Sequence, residues 1–379
     1  MKSFYEKHGK WIRAIAFIVV FCLINGFLNM ALIQSGVTRI IVNDMNKTEE
    51  DYQCVVLGQS HATYGIDPQI IKGETEMNTT NASIGGEYMI DMYYMAKEMY
   101  SHHSPKIVVI DIDYLYFLNV PATENTIMST VVYYNYPISH RKIMYSHAKL
   151  MKKEYRTALF HWLNYRDAYD VARDTLWIKR SKAYRDYDPV AVTQIESCDT
   201  YKGNGFIYRD KSFKRDENAK CTVNWDGNII DTGKTLDYFE KLVDLCKKKG
   251  SKVIMVTTPI NVETLLADES LPQYDMVQDY FNELAKNNKV KYYDFNLVRP
   301  SKFMRDTNDY WDYDGHMYGE AAERYSKFLG KFLKHIDEEK NIDVSEYLYE
   351  DIYDMKKNYE HDAVSVIKNG DKHGNRKQY

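Results

Sequence analysis

The sequence predicts an α/β fold, a parallel sheet with helices on both of its faces. Two observations carry that prediction. Short apolar runs at 54–57, 77–81, 106–113, 252–257 and 290–294 alternate with stretches of helical periodicity. The run Ile107-Val108-Val109-Ile110 is apolar on both faces, as a strand buried between two helix layers must be. A third observation orders the chemistry. Ser60, Gly85 and Asp113 each follow one of the first three runs, and His316 follows the last. Ligands of such folds gather at the carboxyl edge of the strands, so all four residues fall on one edge.

The 379 residues suffice for one large domain or two small ones, and 44% are apolar, enough for a sizeable core. A formal net charge of −4 argues against a nucleic-acid binder, which needs a basic face. The 34 tyrosines read mostly as half-buried amphipathic packing, with some left for stacking on sugars. The five cysteines show neither paired CxxC spacing nor a zinc pattern, so no metal or cofactor is expected. Cys198 and Cys221 could pair after export.

Taken in order, the chain starts with a basic segment, residues 1–13, holding Lys2, Lys7, Lys10 and Arg13 against Glu6. Residues 14–33 are apolar, interrupted by Asn25 and Asn29, and about 20 such residues span a bilayer. The basic flank places the N-terminus in the cytoplasm and the rest outside. No small-x-small cleavage site follows the run, which favours an uncleaved single-pass anchor over a signal peptide. Residues 34–52 read as a linker.

The strand 54–57 stops at Gly58 and delivers Ser60 on a turn. Asp67-Pro68 starts a helix, with proline at its first position. The strand 77–81 leads to Ser83-Ile84-Gly85-Gly86. A helix over 87–100 takes its apolar positions from Met89, Ile90, Tyr93, Met95, Ala96 and Met99. After the strand 106–113 the pattern breaks. Residues 119–233 read as an insertion, helical at 140–174 and loop-like at 179–234, capping the carboxyl edge. The alternation resumes with a helix over 235–249, a strand over 252–257, a helix over 273–286 and a strand over 290–294. A loop over 305–315 carries acids to His316, and a helix over 320–335 closes the domain. Residues 336–379 read as a charged tail, disordered from 368 onward.

A serine at one strand end and an Asp/His pair at another are the parts of a Ser-His-Asp hydrolase. On these residues the chain resembles the SGNH (GDSL-like) hydrolase superfamily. The nearer resemblance is to its membrane-anchored cell-surface branch, the DltD-like proteins and the acetylation factors that accompany membrane-bound O-acyltransferases. Leu57-Gly58-Gln59-Ser60-His61 resembles the nucleophile block, Asn81-Ala82-Ser83-Ile84-Gly85-Gly86 the oxyanion block, and Asp312-Tyr313-Asp314-Gly315-His316 the acid-plus-histidine block. The resemblance covers residues 53–113 and 235–333, inside a hydrolase-like domain over 53–335.

The resemblance implies a three-layer, flavodoxin-like sheet with Ser60 as nucleophile, His316 as base, and the Ser60 and Gly85 amides as oxyanion donors. Two departures from the family pattern stand out. The third block normally offers an asparagine, but here reads Ile112-Asp113-Tyr114, and an ionised aspartate cannot donate. Either the two amides suffice or another donor such as Asn119 joins them. The usual acid position, three before the histidine, holds Tyr313. Asp314 is the expected acid, able to reach back to the imidazole from a turn, with Asp312 the alternative. His61 and Asp113 are expected to line the substrate site, His61 being equally readable as a hydrogen-bonding turn histidine.

The implied activity is an extracytoplasmic serine esterase or acyltransferase. Its substrates would be acyl esters, acetyl first, of a cell-surface polysaccharide or related glycopolymer. The alternatives are D-alanyl transfer to teichoic acid, or a non-catalytic membrane-tethered partner of an O-acyltransferase. Partners would be the polymer or an acyl donor, and a multispan membrane-bound O-acyltransferase.

Overall fold

In the computed structural model the α/β prediction holds. The structure describes residues 2–49, 51–113, 160–192, 198–212, 214, 234–340 and 342–372. Strands β1 (Cys54–Leu57), β2 (Thr79–Asn81), β3 (Ile107–Asp111), β6 (Lys252–Thr257) and β7 (Lys291–Asp294) form a parallel sheet, ordered β2-β1-β3-β6-β7. Counted within the sheet alone, this is the flavodoxin-like order 2-1-3-4-5. Strands β4 (Asp199–Gly203) and β5 (Phe206–Arg209) form a separate antiparallel hairpin.

Every residue of β1 and β3 is buried, which explains why these strands are apolar on both faces. The chain runs from β1 outward to β2, then back past β1 to β3. With right-handed crossovers, the helices Pro68–Thr75 and Met89–Met99 therefore cover opposite faces. Helix Gly319–Asp337 packs on the first and helix Lys234–Lys248 on the second. Phe295, Phe328, Phe332 and Tyr325 meet edge-to-face or tilted beneath the closing helix and form an aromatic core.

Three stretches differ from the sequence expectation. The linker contains a helix, Thr38–Met45, because Asp44 and Met45 have partners to reach. The Tyr201 hydroxyl donates to Asp44 Oδ2 (2.6 Å), and His103 Nε2 donates to the Met45 carbonyl (2.8 Å). The loop-like part of the insertion holds the β4–β5 hairpin, whose strand residues alternate or bury enough to pair. The charged tail forms a helix, Ile352–Lys372, anchored by buried Ile352, Met355 and Tyr359; the Tyr359 hydroxyl donates to the Arg305 carbonyl (2.7 Å). Charge along one face had hidden that apolar stripe.

The chain divides into two compact units, Met1–Ile40 with Ala122–Ile195, and Ile41–Pro121 with Glu196–Tyr379. The second holds the sheet and the hairpin, so only part of the 119–233 insertion belongs with the first. In the first unit, helix Lys2–Leu32 contains one stretch, His8–Leu32, long and apolar enough to cross a membrane. The two asparagines that interrupt it are hydrogen-bonded. Trp162 Nε1–H donates to Asn25 Oδ1 (2.9 Å) and the Trp162 amide to Asn29 Oδ1 (3.1 Å).

Candidate active site

β1 ends at Leu57, and after Gly58 and Gln59 the chain turns into a short helix, Ser60–Gly65. The turn is held from the neighbouring strand. Asn81 Nδ2 donates to the carbonyls of Ala62 (2.7 Å) and Ile66 (2.9 Å), and the Ile84 amide donates to the Gly58 carbonyl (3.2 Å). This lays the second block beside the first. A Cβ on Gly85 would sit 3.4 Å from Ser60 Cβ, so Gly85 abuts the serine. Ser60 opens its helix, and its amide is one of the first-turn N–H groups that the helix ladder leaves unused.

His316 completes a relay. Its Nε2 lies 2.7 Å from Ser60 Oγ, and its Nδ1 lies 2.6 Å from Asp312 Oδ2. The acid on the imidazole is therefore Asp312 and not Asp314, whose side chain is exposed. The cause is the turn. Asp312 Oδ1 accepts from the amides of Gly315 (2.9 Å) and His316 (3.0 Å), which folds the loop back over that carboxylate. Gly315 makes the fold possible with φ at 111°, where a Cβ would also strike Ile260. Burial would raise Asp312, but the bonds from His316 and from the two amides outweigh it and hold the carboxyl below its usual range.

The imidazole of His316 is stacked on both faces, by Trp311 at 4.7 Å and by His61 at 4.5 Å between centroids. His61 and Asp113, expected to line a substrate, are buried and paired with each other, His61 Nδ1 lying 2.8 Å from Asp113 Oδ2, and both line a cavity shared with Asp111, Thr257 and Thr258. His61 Nε2 lies 3.1 Å from the Asp314 carbonyl. Both partners are acceptors, so both ring nitrogens carry protons and His61 is an imidazolium. Burial alone would lower His61, yet the bond and charge of Asp113, with Asp111 and Asp312 nearby, push it up to about 9. Asp113 is thus occupied as an acceptor. Asn119 lies outside the described residues.

Sequence reasoning missed the residues behind this cluster. The hairpin carries Asp199 and Arg209, which form a two-pronged ion pair at 2.6 Å on both prongs. The Arg209 guanidinium lies over the Trp311 ring (4.1 Å) and the Tyr64 ring (4.9 Å), and Tyr64 donates to Asp199 (3.1 Å). Tyr64 in turn meets His316 edge-on at 6.1 Å. The only signal in the sequence was the aromatic and charged content of the insertion. Cys198, beside Asp199, is a free thiol; Cys221 lies outside the described residues.

No family model matches the sequence, and no curated protein matches it. Among solved structures, the chain is similar to a candidate acylhydrolase from Bacteroides fragilis. The two share 12% identity over 78% of this chain and 93% of that one, at a TM-score of 0.35.

Proposed function

We propose that the chain is a membrane-tethered serine acyl hydrolase or acyltransferase of the SGNH type, acting outside the cytoplasm on acyl esters of a cell-surface glycopolymer. One observation carries the reading: the Ser60–His316–Asp312 relay, 2.7 Å and 2.6 Å at its two links, with Gly85 against the serine. A hydroxyl, a base and an orienting acid in this order activate a nucleophile. The apolar helix with its basic N-terminal flank supports the location. The glycopolymer, the acetyl group and an O-acyltransferase partner rest on the resemblance of the motif blocks to the cell-surface branch.

In the proposed reaction Ser60 Oγ attacks the acyl carbonyl carbon while its proton passes to His316 Nε2. Asp312 fixes the Nδ1–H tautomer and stabilises the imidazolium. The Ser60 and Gly85 amides hold the tetrahedral oxyanion. Collapse expels the alcohol, which takes the proton from His316 and leaves acyl-Ser60. Water or a sugar hydroxyl then attacks, with His316 as base.

The test is a fluorophosphonate probe on the full-length protein in detergent. Wild type should gain one adduct at Ser60, and Ser60→Ala and His316→Ala should gain none. Equal labelling of Ser60→Ala would remove the nucleophile assignment and leave a non-catalytic partner of an acyltransferase as the better reading.

A further inference from the structure

We propose that helix Ala172–Arg180 lies at the membrane surface, with Trp177 among the lipid headgroups and Arg173 and Arg180 on their phosphates. The inference rests on the anchor reading and adds a second lipid contact to it.

The level of the bilayer along the anchor can be read from burial. Residues 10–27 are exposed except for half-buried Asn25, whereas Asn29, Ala31, Leu32 and Ile33 are buried by protein. At about 1.5 Å per residue the exposed stretch is about 27 Å long. That matches a hydrocarbon core of about 30 Å. The outer interface therefore falls near Asn25–Asn29. Trp162, bonded to both asparagines, sits at that level, where tryptophan is enriched.

The helix Ala172–Arg180 is fixed to the same level. Lys179 Nζ donates to the Asn29 carbonyl (3.3 Å), and Ala172 and Leu176 pack on the cluster of Ala31, Leu32, Ile33 and Tyr165. Its outer side is unpacked. Arg173, Trp177 and Arg180, spaced i, i+4 and i+7, are all exposed, Trp177 by 76%. Asp174 flanks Trp177 on the other side and is exposed too. Tyr169 is 77% exposed at the helix entry. An unpacked indole between two guanidiniums, held where a lipid-exposed helix leaves the bilayer, matches the composition of interfacial helices.

The experiment places a photoreactive benzoylphenylalanine at position 177, and separately at Phe17, in the full-length protein. The protein is reconstituted in vesicles of phosphatidylcholine with phosphatidylglycerol and analysed by mass spectrometry after illumination. Lipid adducts at both positions are expected, and Arg173→Gln with Arg180→Gln should cut the adduct at 177 at least two-fold. A lipid adduct at 17 with none at 177, or a protein adduct at 177, overturns the surface helix and leaves the anchor standing. No lipid adduct at 17 overturns the anchor reading itself. An adduct at 177 unchanged by the arginine substitutions overturns their part.

Discussion

At the scale of single residues, the two aspartates around Tyr313 do different work. Asp312 faces His316 Nδ1, and Asp314 offers only its backbone carbonyl to His61. Asp312→Asn should lower turnover on a soluble ester by about 10⁴, the cost of a misoriented tautomer in a serine-protease triad. Asp314→Asn should change it by less than about three-fold. Similar losses in both would dissolve the distinction. Sequence alone named both candidates but put Asp314 first, because the true order depends on a turn closed by Gly315 and two amides. His61 has a pH signature. Its folded pKa, about 9, lies above the ordinary histidine value, so bound protons favour the folded state. That stabilisation is complete below about pH 6.5 and is lost as pH rises through about 9. Thermal melts of wild type should therefore weaken across that window, and His61→Gln should flatten this part of the curve. A wild-type loss that persists unchanged in His61→Gln would assign it to another group.

At the scale of elements, the sheet was legible because buried parallel strands declare themselves as apolar runs. The predicted 54–57 and 252–257 match β1 and β6, and the helix predicted over 235–249 differs from Lys234–Lys248 by one residue at each end. The hairpin was not legible, since both strands are short, β4 is polar, and the docking site lies far away in the sequence. What seats it is tertiary. The Asn81 amide donates to the Asn204 carbonyl (2.8 Å), so the hairpin turn covers the exposed edge of β2. At that turn Gly205 has φ 93°, and a Cβ there would collide with the Asn81 carbonyl. Gly205→Ala should thus lift the turn and loosen Asp199 and Arg209 from Tyr64 and Trp311. The expected result is a Tm lower by several degrees together with a turnover loss of about ten-fold or more, read by melting and ester hydrolysis. Loss of Tm with unchanged turnover would make the hairpin a mere edge cover. The tail helix was missed for a different reason: its buried Ile352, Met355 and Tyr359 are diluted by acidic and basic neighbours.

At the scale of the whole molecule, the relay lies wholly in the unit formed by Ile41–Pro121 with Glu196–Tyr379, and the long apolar helix Lys2–Leu32 belongs to the other. That helix has two parts with different neighbours. Residues 10–27 are exposed apart from half-buried Asn25, whereas Ala31, Leu32 and Ile33 are buried with Tyr165, and Asn29 accepts from Trp162. A chain beginning at Asn29 should therefore lose the stretch able to cross a membrane and keep all of that packing except Leu28. It should be monodisperse without detergent, melt within a few degrees of the full protein, and retain turnover on a soluble ester. A chain beginning at Ile41 removes Leu32 and Ile33, each worth about 1.5–3 kcal/mol when fully buried. It also uncovers Tyr165 and Leu176 and strips Trp162 and Lys179 of their asparagine partner. Exposed apolar clusters of this kind drive association. The shorter chain should accordingly run as an aggregate on size exclusion, although every residue of the relay is present. Equal behaviour of the two truncations would mean that residues 29–40 contribute nothing to the fold, and that the anchor is no more than a tether.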